Sequence, residues 1–188
     1  MSLLVVEHLS LDGVLQGPAR TDEDPSGGFR HGGWAMAAAD DPEPGAAMGR
    51  AMRPGFAWLF GRRSYDDVLT HWNGAGGPFR DGLNRTTKYV VTSDPHLAWP
   101  HSVQVAGDVA AEVARLRETE DLVVMGSGQL VRTLLEHGLV DELLLFVHPV
   151  VLGSGRRLFG DAPDAHRLRL VEATSTASGV LVATYRPD

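Results

Sequence analysis

Three short stretches carry residue types suited to phosphate chemistry. In Leu122-Val123-Val124-Met125-Gly126-Ser127-Gly128-Gln129-Leu130 an apolar run breaks at a glycine-containing turn, and Leu130, Val131, Leu134 and Leu135 then recur at helical spacing. The expected order is strand, turn, helix. Such a helix start offers unpaired backbone N–H groups and the positive end of the dipole, and Gly126 and Gly128 let a ligand approach the main chain. The turn suits an anion; equally, it suits a tight connection between two packed elements. In Gly61-Arg62-Arg63-Ser64 two guanidiniums and a hydroxyl stand near a second helix start. That grouping fits a phosphate monoester such as the 2′-phosphate that separates NADPH from NADH, or it is a solvated basic cap beside Asp66 and Asp67. Thr92 and Ser93 close a third strand, where small polar groups either line an adenine or ribose edge or simply end the strand.

The elements that must position these residues alternate along the chain. Residues 2–11 form a strand that ends at Asp12-Gly13, a turn signal. Residues 56–60 form another, followed by a helix that begins within 64–69. Residues 88–92 make a third strand, and 108–118 a helix with Asp108 as its N-cap. After the 122–131 unit, Gly138 ends the helix, residues 143–147 form a buried strand, and 168–175 with 180–185 form a hairpin around Ser178-Gly179. The order predicts an α/β fold with a mixed sheet and helices on both faces. Residues 17–54 are rich in Gly, Pro, Asp and Ala and read as an irregular insert that roofs a pocket. Within it Phe29, His31 and Trp34 form either a lid wall or an aromatic cluster packed on the core; Trp72 and Phe146 are expected to contact the same pocket, Phe146 otherwise belonging to the core.

The chain has 188 residues and no dividing linker, so residues 1–188 are read as one domain. A formal charge of −7 disfavours nucleic acid and anionic membranes as partners. With no cysteine there is no disulfide, thiol catalysis or thiolate metal site, and the eight histidines lack metal-site spacing, so no metal is expected. The N-terminus carries no targeting signal and no apolar run reaches spanning length, which makes the cytoplasm the expected location. Neither a GxSxG elbow nor a P-loop occurs.

Valine at position 131 stands where a Rossmann fingerprint needs its third glycine, and the motif lies late in the chain. Taken together, Ser10-Leu11-Asp12-Gly13, the stretch "FGRRSYD" and the long "MGSGQLVRTLLEHGLVDELLLFVHPVVLGSGRRLF" resemble the dihydrofolate-reductase-like family. Within it they are similar to the C-terminal reductase domain of the bifunctional riboflavin-biosynthesis deaminase/reductase. The resemblance covers nearly the whole chain. It implies a dihydrofolate-reductase-like, mostly parallel sheet with a C-terminal antiparallel hairpin, NADPH as hydride donor and a homodimer. Carried over by position, Gly61, Arg62, Arg63 and Ser64 meet the adenosine phosphate, Thr92 and Ser93 the adenine, and Gly126, Ser127, Gly128, Gln129 and Leu130 the pyrophosphate.

The substrate side transfers less well. No single acid of the insert aligns with the family's carboxylate on the helix after the first loop, and Asp40-Asp41-Pro42 precedes the "GRRS" position whereas the riboflavin reductases carry Asp-Asp-Pro after it. Asp12 lies next to where the family places the nicotinamide, and is either the polar group that handles the proton or only part of a turn. Residues 151–160 add a second glycine-flanked loop with Arg156 and Arg157, a dimer contact or a pocket edge. The expected function is an NADPH-dependent reductase of a small heterocyclic or carbonyl-like substrate. The alternatives are a nucleotide-binding or dimerising protein of the same fold that has lost hydride transfer, and a flavin-dependent oxidoreductase.

Overall fold

The computed structural model describes residues 1–52, 54–160 and 165–188. In chain order its elements are β1 (Leu3–Ser10), α1 (Pro42–Ala51), β2 (Ala57–Gly61), α2 (Arg62–Ala75), α3 (Gly77–Arg85), β3 (Lys88–Val91) and β4 (Ser102–Val105). There follow α4 (Val109–Leu116), β5 (Leu122–Met125), α5 (Gly128–Glu136), β6 (Glu142–His148), β7 (Leu168–Ser175) and β8 (Leu181–Pro187). The eight strands form one sheet in the order β4-β3-β2-β5-β1-β6-β8-β7. The first six are parallel to one another; β8 runs antiparallel to β6, and β7 antiparallel to β8. The sheet is the expected mixed, mostly parallel one with a C-terminal antiparallel hairpin.

Parallel strands covered on both faces must be apolar on both, and β1, β5 and β6 are. Alternate side chains feed two cores. Leu3, Val5, Leu59, Val124 and Leu143 pack against Val113 of α4 and Val131 and Leu134 of α5. Leu4, Val6, Trp58, Phe60 and Leu144 pack on the other side against Ala47 of α1, Tyr65 and Leu69 of α2 and Leu83 of α3. Truncating a fully buried residue such as Leu59 or Leu134 to alanine would cost about 2–5 kcal/mol. The only lysine, Lys88, is buried, and its Nζ donates to the carbonyls of Leu83 and Thr86, both at 2.6 Å, which ties the end of α3 to β3. Gly138, at φ +63°, ends α5 as expected. Among the described residues no helix is long and apolar enough to cross a membrane.

Three elements depart from the sequence reading. Residues 17–54 are not irregular throughout: α1 lies within them, started by Asp41, whose carboxylate accepts from the Glu43 N–H at 3.1 Å. Its Gly- and Ala-rich composition hides the apolar stripe. Arg53 in this segment is outside the described residues. Asp41 also accepts from Ser178 N and Oγ at 3.1 and 2.7 Å, so Asp-Asp-Pro here is a helix cap tied to the hairpin turn. The edge strand β4 and the short α3 were not anticipated either. β4 has only four residues, and Val105 is its buried one.

Candidate active site

The site follows from a difference in strand length. β5 pairs with β1 only as far as Val6 opposite Met125, whereas β6 accompanies β1 to Ser10 opposite His148. From Glu7 onward β1 therefore has a free edge on the β5 side. A cleft of about 1600 Å³ opens there, at the C-terminal ends of the parallel strands, where α/β sheets characteristically bind ligands.

Two glycine turns form one wall. Gly61 leads from β2 into α2, and Gly126 leads from β5 into α5. Gly126 has φ +71°, and the following Ser127 also adopts the left-handed region, at φ +71° and ψ +67°. The turns interlock: a Cβ on Gly61 would collide with the Ser127 side chain, and one on Gly126 would lie 2.8 Å from Ser64 Oγ. A Cβ on Gly128 would meet Leu15 at 2.6 Å. Neither Gly61 nor Ser127 caps its helix with a side chain, whereas Asp41 and Asp108 do cap α1 and α4. The first-turn N–H groups of α2 and α5, which no helix can satisfy internally, are thus left for a ligand.

A strap crosses the cleft mouth. Arg20 reaches Asp67 of α2 at 2.5 Å, and Asp24 pairs with Arg156 and stands 3.7 Å from Arg63. The buried amide of Gln16 donates to the carbonyls of Asp24 and Ser26 and accepts from Arg156 N–H at 3.0 Å. Arg62 is engaged by Asp66 at 2.8 Å and Asp94 at 2.9 Å, which leaves Arg63, 69% exposed, the less committed cation of the pair. On the opposite wall Trp72 of α2 and Phe79 of α3 meet edge to face at 4.7 Å, with Met48 and Val68 also lining the cleft.

The structure brings together Gly61, Arg62, Arg63, Ser64, Gly126, Ser127, Gly128, Gln129, Leu130 and Trp72, all of which line the cleft. Arg156 and Arg157 line it too, so the 151–160 loop forms a pocket edge. Other expected residues fall elsewhere. Thr92 and Ser93 lie just past Val91, the β3 residue that reaches the cleft; Thr92 accepts from Asp94 N–H and ends the strand. Phe29 is buried beneath Gly17 and Gly155, its ring 2.8 Å from the place of a Gly155 Cβ. Trp34 donates to the Gln16 carbonyl at 2.7 Å and meets His148 edge to face, and His31 packs edge to face on Phe29. These aromatics form a packed cluster, not a wall of the cleft. Phe146 is core, 1% exposed.

Asp12 is likewise directed away. Its carboxylate accepts from Leu152 N–H at 3.0 Å, Gly153 N–H at 2.9 Å and Ser10 Oγ at 2.7 Å. Arg157 donates to its carbonyl at 2.8 Å. The Leu152 N–H and the Ser10 hydroxyl hold its carboxyl well below the usual carboxylate range. Asp12 is a clasp between the first loop and residues 152–157, with no free proton-handling group to present.

The sequence reading passed over Glu7 and His8, at the free edge of β1. Both line the cleft. Glu7 is 5% exposed and its Oε1 has no hydrogen-bond partner among the described residues. Burial pushes its carboxyl up to about 8, against the opposing pull of the Gly126 backbone N–H. His8 stacks on Phe146, its Nδ1 lies 2.9 Å from His148 Nε2, and burial pushes it down to about 4. The signal was present in "LLVVEHL", where two adjacent polar residues interrupt an apolar run of the central strand.

With this geometry the chain belongs to the RibD C-terminal domain family, which it matches over residues 2–182. Two curated relatives from Bacillus subtilis (strain 168) are similar to it. Uncharacterized protein YyaP is 32% identical over 100 residues, 52% of this chain and 53% of the relative. Uncharacterized protein YwjB is 32% identical over 117 residues, 60% of this chain and 63% of the relative. The matches thus span roughly half to three-fifths of those relatives' length. Three solved structures share the fold across 100% of this chain. They are a putative riboflavin biosynthesis protein from Shewanella sp. PV-4 (18% identity, 99% of that chain, TM-score 0.67) and a pyrimidine reductase-like protein from Corynebacterium diphtheriae (12%, 92%, 0.67). The third is a dihydrofolate reductase from Enterococcus faecalis complexed with NADP(H) (13%, 96%, 0.65). The fold is the one these three structures share.

Proposed function

We propose that the protein is an NADPH-dependent reductase of a small heterocyclic or carbonyl-like substrate. The observation that carries this reading is the interlocked pair of glycine turns, which aims two helix starts without side-chain caps into one cleft beside Arg62 and Arg63. That cradle fits a dinucleotide. Gly126 to Leu130 would hold the diphosphate through main-chain N–H groups, and Arg63, helped by Arg62, would read the 2′-phosphate. Family membership and the NADP(H)-bound reductase neighbour support the choice of ligand.

Bound there, reduced nicotinamide supplies a hydride. The chain's own residues supply the rest: helix dipoles and guanidiniums neutralise phosphate charge, Trp72 and Phe79 give a flat apolar surface to a heterocycle, and the 17–28 strap limits water. Titrating NADPH should quench tryptophan fluorescence, because Trp72 lines the cleft, and raise the melting temperature. Turnover with a panel of pterins, flavins and quinones separates a reductase from a module that only binds nucleotide, and a yellow purified protein would favour flavin dependence.

The reading includes a homodimer. Nearly all of β7 is exposed on both faces, including Leu170 at 50% and Val171 at 43%, and an edge strand that exposes such apolar side chains is a natural partner for a second copy.

A further inference from the structure

The floor of the cleft holds an acid that, among the described residues, no side chain pairs with and that meets only the Gly126 backbone N–H. Glu7 occupies the first position of β1 beyond the β5 pairing, is buried, lines the cleft and leaves Oε1 unpartnered among the described residues. A carboxyl buried this way is costly, and an apolar residue would pack there without the penalty. The cleft's other carboxylates are all engaged. Asp24 pairs with Arg156, Asp67 with Arg20, and Asp22 lies 3.5 Å from Arg20; Glu23 accepts from the backbone N–H groups of Ala19 and Arg20.

We propose that Glu7 is the acid that protonates the substrate, a compound whose C=N or C=O heteroatom must take a proton as its carbon is reduced. This rests on the reductase reading above. As the carbon accepts the hydride, the π pair of the C=N or C=O bond passes to the heteroatom and forms the new N–H or O–H bond. The Glu7 O–H bond breaks and leaves a carboxylate. Reduced nicotinamide is the two-electron reductant and departs oxidised, and one proton from solvent restores Glu7.

The surroundings favour this division of labour. With its carboxyl near 8, Glu7 carries a proton at neutral pH, whereas neighbouring His8, near 4, carries none. Titratable groups driven apart in this way mark acid and base roles in a site. The other cations that line the cleft are Arg20 of the strap, Arg62 and Arg63 of α2, Arg132 of α5 and Arg156 and Arg157 of the 151–160 loop, and Arg20 and Arg62 are held by Asp67 and by Asp66 and Asp94. Arg132 and Arg157 donate to backbone carbonyls, those of Arg157 and Leu158 and that of Asp12 respectively, and Arg156 is held by Asp24.

The test compares the full chain with Glu7→Gln and Glu7→Asp. Infrared difference spectra should reveal the carbonyl stretch of a protonated carboxylic acid that Glu7→Gln removes, that fades as pH rises through about 8, and that moves when NADPH is added. NADPH should bind Glu7→Gln within about twofold of wild type, while its reduction of dihydropterin or para-nitrobenzaldehyde falls roughly 100-fold or more and loses the high-pH decline. Glu7→Asp should recover part of the rate. A missing band at neutral pH, or a Glu7→Gln rate and pH profile like wild type, overturns the assignment. If NADPH binds and neither probe reacts, the band decides: one that responds to NADPH sustains the proposal, and one that ignores it overturns it. A wild-type chain that does not bind NADPH overturns the reductase reading itself.

Discussion

A Cβ on Gly126 would stand 2.8 Å from the hydroxyl oxygen of Ser64, because each of the two cleft turns makes room for the other's serine. Gly126→Ala therefore meets a steric conflict and a left-handed backbone at once. It should destabilise the fold by about 1–3 kcal/mol and weaken NADPH binding, as read by denaturant unfolding and cofactor titration. Gly45→Ala in α1, where nothing lies within 4 Å of the new Cβ, should be neutral or stabilising by up to about 1 kcal/mol.

Glu7→Gln should stabilise the protein in a pH-dependent way. The carboxyl sits near 8 when folded and 4.5 when unfolded, so between these values the folded state binds the extra proton and stability falls as pH rises. The gain from Glu7→Gln should grow from pH 4.5 to 8, by up to a few kcal/mol, and then level off. Urea melts of both proteins across that range provide the check. A difference independent of pH would mean that Glu7 does not retain its proton in the fold.

Asp12→Asn should act on stability. Asp12 is held below the usual carboxylate range when folded, so its contribution is present above the unfolded value of 3.8 and is lost as pH falls beneath it. Melting temperatures of wild type and Asp12→Asn should differ at neutral pH and converge in acid. NADPH affinity should change little, since the carboxylate clasps Leu152 and Gly153 and does not reach the cleft.

Replacing Leu170 and Val171 by glutamate should give a monomer by analytical ultracentrifugation, with the fold intact by circular dichroism. Both side chains are exposed on β7, so the change removes apolar surface from an edge and costs the core nothing. Retention of a dimer in this variant would place the contact elsewhere on the molecule.

Much of the sheet could be read from local pattern. The runs of β1, β2, β3, β5 and β6 are short and mostly apolar, punctuated by Asp-Gly or Gly after β1, β2 and β5 and by Pro beyond β3 and β6, and the Asp108 cap marks α4. Gly61 to Ser64 and Gly126 to Leu130 were legible as helix starts because strand-turn-helix is a local grammar. Their interlock was not, since it joins residues more than sixty positions apart. Asp12 misled for the same reason: Asp12-Gly13 is a turn in sequence, while the groups that fix its charge lie at Leu152 and Gly153. Glu7 and His8 were visible yet read as strand interior, because the free edge that exposes them arises only where β5 stops short of β6. α1 was lost in its small residues, although Asp41-Pro42 is a capping signal.

On the proposed reading, the two interlocked turns and their arginines hold a 2′-phosphorylated dinucleotide. Calorimetric titration of NADPH and NADH into wild type and Arg63→Ala tests it most directly. Wild type should bind NADPH more tightly than NADH, and Arg63→Ala should weaken NADPH by roughly tenfold, about 1.4 kcal/mol, while leaving NADH nearly unchanged. No heat from NADPH at millimolar concentration, or an equal loss for both cofactors, would contradict it.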